Sequence, residues 1–138
     1  MSKRVAAALT AAVWASGCSI GTDGNLADAA DTAFLQAVAA KQYQQAYQSA
    51  APELQNAMDA ETFQGMLQRV DRKLGPCGPA RKTFDMHVNM TLGQYTRTQG
   101  YTRTCKNGQL GERLTVIIRG GQAKVAGFYV SSPLLLTD

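Results

Sequence analysis

The chain has one histidine, three cysteines, one tryptophan and four prolines. It also lacks an apolar run long enough to cross a bilayer as a helix, and each scarcity removes a class of function. His87, Cys77 and Cys105 are not spaced as a ligand set, so the sequence reads as having no metal site. No Ser-His-Asp constellation is evident, and two cysteines paired by oxidation leave no thiolate for nucleophilic catalysis. Glycosidase chemistry needs two carboxylates facing one cleft, whereas the strand region supplies only Asp85 and Glu112. The formal net charge is +4, and the leader holds two of the fourteen bases. What remains is nearly balanced, which argues against a nucleic-acid binder. No motif calls for a cofactor.

What the chain does have begins at its start. Lys3 and Arg4 precede an apolar segment from Val5 to Ala15, too short to span a membrane, and then come the small residues Ala15, Ser16 and Gly17 ahead of Cys18. A peptidase that admits backbone beside a lipidated cysteine tolerates only small side chains there. Val13 to Cys18 resembles the lipobox of bacterial lipoproteins, with Ala15 where leucine is commonest. Residues 1–17 therefore read as a signal peptide, Cys18 as the lipidation site, and 18–25 as a polar tether. The competing reading is ordinary cleavage after Gly17, which leaves a soluble chain with a free terminal cysteine. An acylated Cys18 would hold the protein on a membrane, since each buried methylene contributes about 0.8 kcal/mol. Ser19 resembles an outer-membrane sorting residue, which places the domain in the periplasm.

Residues 26–138 are enough for one domain with a real core. With Cys18 committed to lipid, Cys77 and Cys105 remain as a disulfide pair in an oxidising compartment. Closing a loop of that length contributes roughly 3–4 kcal/mol on the chain-entropy model. Placing the two cysteines opposite each other centres the first hairpin near Thr91.

Asp23 or Asn25 is expected to cap a first helix reaching about Ala40, with Ala30, Phe34, Ala37 and Val38 on one stripe. Tyr43 and Tyr47 lie one turn apart on the following segment, as core residues or as the lining of a pocket. Pro52 opens a short helix to Met58. Asp59 caps a third long one, in which Phe63, Met66, Leu67, Val70 and Leu74 recur at helical spacing before Gly75-Pro76. From Pro79 the period becomes two. Phe84, Met86 and Val88 alternate with Asp85 and His87, so the apolar set is expected beneath the helices, with Asp85 and His87 turned away. Turns at Asn107-Gly108 and Gly120-Gly121 then separate three more strands. Helices followed by a four-stranded antiparallel meander make the class α+β.

Phe34-Leu35, Gln42-Tyr43, Tyr47, Phe63, Leu67, Leu74-Gly75, Arg81, Gly93-Gln94-Tyr95, Glu112, Thr115 and Lys124 to Val130 together resemble an uncharacterised family of small exported Gram-negative proteins. That family is similar to the nuclear-transport-factor-2-like, or cystatin-like, cone fold. The resemblance spans about residues 33–130 and implies a curved sheet around packed helices. The chain departs from the pattern at Ala123, usually tryptophan, and in its cysteine pair. The matching residues are mostly packing residues, so no catalytic residue carries over.

Three functions follow. The first is an envelope lipoprotein whose non-catalytic domain binds a protein partner or a small apolar ligand. The second is a periplasmic inhibitor or immunity protein using a basic face around Arg97, Arg103 and Arg113, because residues 18–61 hold six acids against Lys41 alone while 62–138 hold eleven bases. The third is a cone-fold isomerase or hydrolase. Acylation is directly measurable: intact-mass spectrometry of the envelope-purified protein is expected to show loss of residues 1–17 and a lipid-modified Cys18. An uncleaved leader or an unmodified terminal thiol would overturn that reading.

Overall fold

The computed structural model describes residues 22–89 and 94–137, so the leader, the Cys18 junction, residues 18–21 of the tether and the hairpin centre near Thr91 lie outside the described residues. Four helices precede four strands: α1 Thr22–Ala39, α2 Tyr43–Ser49, α3 Pro52–Ala57, α4 Ala60–Leu74, β1 Arg81–Asn89, β2 Gln94–Cys105, β3 Gly108–Arg119 and β4 Gln122–Ser131. The strands form one open antiparallel sheet in chain order, β1-β2-β3-β4, as expected of a meander. Asp23 and Asn25 lie inside α1, not ahead of it, and the expected tether overlaps the helix. Acidic and polar residues suit a first helical turn as well as a cap, so composition does not separate the two positions.

Local chemistry explains the boundaries. At the end of α1 the amide of Gln42 donates to the carbonyl of Ala37 at 2.8 Å and that of Lys41 to Val38 at 3.0 Å. This is a Schellman closure with Lys41, at φ 61°, in the left-handed position usually given to glycine. Asp59 caps α4 as expected, its carboxylate accepting from the Thr62 amide at 2.7 Å. Gly120 and Gly121, at φ 55° and 75°, make the two-residue turn between β3 and β4.

Phe63 of α4 is fully buried, and its ring meets Phe34 of α1 at 6.0 Å, Tyr47 of α2 at 5.6 Å and Phe128 of β4 at 6.4 Å. Fully burying such a ring contributes about 1.5–3 kcal/mol. Leu114, Val116 and Ile118 of β3 and Val125 of β4 complete this core from the sheet. A second cluster joins Val70, Leu74, Cys105 and Leu110 to the C-terminal turn Pro133–Leu136. Arg69 and Lys73 of α4 hold that turn through the carbonyls of Leu135, at 3.0 Å, and Thr137, at 2.6 Å.

The first strand corrects one expectation. Phe84, Met86 and Val88 are 44%, 47% and 44% exposed, on the face away from the helices, while Asp85 joins the α1 side through Gln99 and Arg97. The pairing with β2 sets the face: Asp85 stands opposite Gln99, whose side chain reaches Asp28 of α1, and Phe84 opposite Gly100 on the outer side. Cys77 pairs with Cys105 as expected, Lys82 with Tyr101, and Phe84 with Gly100, so the register slips between Lys82 and Phe84. Regular alternation would put Lys82 on the face of Phe84, but the extra residue puts Lys82 and Asp85 on one side, 3.9 Å apart.

A disulfide joins Cys77 to Cys105 across a separation of 28 residues, tying the end of α4 to the β2–β3 turn. Cys105→Ser is expected to destabilise the domain by about 3 kcal/mol, lowering Tm by about 10 °C. Equal melting of the two forms under oxidising conditions would count against that contribution.

Candidate functional site

A cavity of about 300 Å³ opens between the end of α1, the start of α2, α4 and the sheet. The Schellman turn at Lys41 reverses the chain, so that α2 begins at once and presents Tyr43 to this space. Val38, Leu67, Val70, Leu110 and Val130 give it apolar walls. Arg103 of β2 and Glu112 of β3 also line it, their side chains only 11% and 2% exposed, with Arg103 Nε donating to Glu112 Oε1 at 2.5 Å. Arg103 Nη1 also donates to the Gly78 carbonyl at 3.4 Å, next to the disulfide. Burial pushes the Glu112 carboxyl above its usual value, and the Arg103 guanidinium opposes that rise. Lys41 and Asp71, largely exposed and 3.2 Å apart, stand at the solvent side of the same cavity. The walls suit an apolar body, and the guanidinium suits a polar or anionic end.

Beside the cavity, the face of β2 toward α1 is polar. Arg97 Nε and Nη2 both reach Asp85, the first at 2.8 Å, while Gln99 donates to Asp28 at 2.8 Å and Tyr101 Oη donates to Asp31 Oδ2 at 2.7 Å. Lys82 reaches Asp28 at 2.7 Å. The Arg97 guanidinium packs against α1, and a Cβ at Gly24 would stand 2.5 Å from Nη1 and displace the end of that side chain. Arg97 holds Asp85 below its ordinary acidity constant. Burial works to raise Asp28, but hydrogen bonds from Lys82 and Gln99 outweigh it and leave its value lowered. Asp31 is the exception. It is fully buried, its Oδ1 has no hydrogen-bond partner, and burial lifts its value to about 6 against the Tyr101 hydrogen bond. Burial, followed by the neighbouring Asp31 carboxylate, pushes the Tyr101 hydroxyl well above its usual range.

The expected site residues therefore separate. Tyr43 lines the cavity, whereas Tyr47 turns its hydroxyl to the carbonyls of Gln55 in α3, at 3.2 Å, and Met58 just after it, at 2.8 Å. Arg97, Arg103 and Arg113 do not form one basic face. Arg97 pairs with Val116 and Arg103 with Leu110 on the helix side, while Arg113 pairs with Gly100 on the opposite side. The first two are also neutralised by Asp85 and Glu112. Their separation follows from the register, which sets odd-numbered positions of β2 against even-numbered positions of β3. The sequence reasoning missed Asp28, Asp31, Gln99 and Tyr101. A signal was present for Asp31, which follows Ala27 by four residues and precedes Phe34 by three, so it stands on the apolar stripe of α1. Among the described residues, no group of three His, Cys, Asp or Glu side chains is placed to hold a metal ion. No helix of the described residues is long and apolar enough to cross a membrane.

No protein-family model matches the chain, and no curated protein matches it.

The buried carboxyl links stability to pH. The folded chain holds the Asp31 proton up to about pH 6, whereas the ordinary value is 3.8. The folded state therefore binds the extra proton between those values, and stability falls as pH rises through that window. Asp31→Asn is expected to gain in Tm relative to the parent as pH rises from 4 to 7, and thermal melts across that range check it. A constant difference would refute the coupling.

Proposed function

We propose that this chain is a membrane-anchored envelope lipoprotein whose α+β domain is a non-catalytic binding module for a small amphiphilic ligand. The observation that carries the reading is the cavity itself, with apolar walls and the shielded Arg103–Glu112 pair within it. A volume of about 300 Å³ sits at the small end of ligand pockets. An apolar body would displace water from Val38, Leu67, Val70, Leu110 and Val130, and an acidic or hydroxylated end would take hydrogen bonds from Arg103 and the Tyr43 hydroxyl. In this reading Glu112 orients the guanidinium and lowers the electrostatic cost of its burial. The lipobox-like junction at Cys18 supports the anchor, and Ser19 supports an outer-membrane position facing the periplasm.

A second reading, a cone-fold hydrolase or isomerase, is favoured by one observation: a shielded carboxylate, Glu112, with raised proton affinity inside a cavity. Its direct pairing with Arg103 ties that carboxylate to a structural contact, and this favours the binding module.

Titration with the anionic amphiphile anilinonaphthalene sulfonate is expected to show saturable binding with fluorescence enhancement. Val130→Phe, which adds volume at the cavity wall, is expected to weaken that binding about tenfold, roughly 1.4 kcal/mol, while the fold is retained by circular dichroism. Non-saturating fluorescence, or equal affinity in parent and variant, would overturn the cavity as the ligand site.

A further inference from the structure

Strand β1 lies at the edge of the sheet, and among the described residues its strand neighbour is β2 alone. Every residue from 81 to 88 is exposed, and Phe84, Met86 and Val88 form an apolar row on the outer face. Asp85 and His87 form the opposite row, with His87 Nδ1 3.7 Å from Asp85 Oδ1. A nine-residue edge with an apolar row is a template for pairing with another strand, and soluble proteins normally shorten, charge or cover such an edge.

We propose that β1 pairs antiparallel with β1 of a second copy of this chain about a two-fold axis at Met86, joining two four-stranded sheets into one of eight. A two-fold normal to the sheet keeps each face on its own side, so the axis must pass through a residue and not between two. At Met86 the order Phe84-Asp85-Met86-His87-Val88 is complementary to itself. Phe84 stands opposite Val88 of the second copy and Met86 opposite its own counterpart. Asp85 stands opposite His87 of the second copy, twice over. Moving the axis to Asp85 would set two carboxylates against each other, and moving it to His87 would set two imidazoles together and take Asp85 away from a base. Only the Met86 register matches apolar with apolar and acid with base on both faces. This complementarity selects a second copy over an unrelated extended peptide.

One strand pair is smaller than a standard interface of about 1,600 Å², so the dimer is reversible and dissociates on dilution. The test is sedimentation velocity on the full chain carrying Cys18→Ser, from low micromolar to near-millimolar protein. The dimer fraction is expected to rise with concentration. Met86→Lys, which sets two ammonium groups at the axis, is expected to weaken association about tenfold. His87→Lys is expected to tighten it against Asp85, and His87→Glu to weaken it. Because these side chains are exposed, melting of the dilute variants should stay near that of the parent. As a measure that needs no variant, amide hydrogen exchange of residues 81–89 should slow in the concentrated parent protein. Monomer at every concentration, association indifferent to Met86→Lys, His87 variants that shift in the same direction, or β1 exchange independent of concentration would each overturn the proposal.

Discussion

Among the described residues, the aliphatic sheet surface beneath the helices comes from β3 and β4, and most of the structure follows from that inequality. Leu114, Val116, Ile118 and Val125 present branched side chains to α1, α2 and α4, and the rings of Phe34, Phe63 and Phe128 fill the space between the layers. The corresponding face of β2 offers Arg97, Gln99, Tyr101 and Arg103 instead. Buried polar groups are tolerated only when partnered, so the side chains that meet β2 from α1 and β1 are Asp28, Asp31, Lys82 and Asp85. The helix layer stops there, and β1 is left exposed on both sides.

The cavity arises from the same constraint at the other end of the layer. Where α1 ends in the left-handed turn at Lys41, the chain must reverse before α2, and α4 runs past the gap toward the disulfide. The space is closed from the sheet by a charged pair, Arg103 with Glu112, among aliphatic side chains. Removing either member would leave an uncompensated buried charge, costing about 3–5 kcal/mol, so the polar end of the cavity is also a structural tie between β2 and β3. Binding chemistry and stability therefore share residues here. The Arg119–Glu53 contact between β3 and α3 is a looser tie, about two-fifths exposed at each side chain.

Legibility in the sequence varied with how local the determining physics was. The periodicity of Phe63, Leu67, Val70 and Leu74, the Asp59 cap and the Gly120-Gly121 turn are decided within a few residues, and each stands where the pattern places it. The cysteine positions also carried long-range information, because a bridge demands that Cys77 and Cys105 lie opposite, as they do. Tyr43 and Tyr47 share a helical face, yet one lines the cavity while the other hydrogen-bonds to α3. Their difference depends on where α3 returns, which spacing on one helix does not express.

The amino-acid sequence by itself determined the element types, their order, the meander and the cysteine pairing, because helical and strand periods, caps, turns and oxidation act locally or between two named atoms. Only the tertiary structure decided which face of β1 meets α1, that Arg113 parts from Arg97 and Arg103, and that Asp31 is buried beside Tyr101. The reason is that alternation distinguishes two faces without naming the covered one. The pairing of β1 with β2, whose odd-numbered positions face α1, and the limited aliphatic area available to the helices settle that choice.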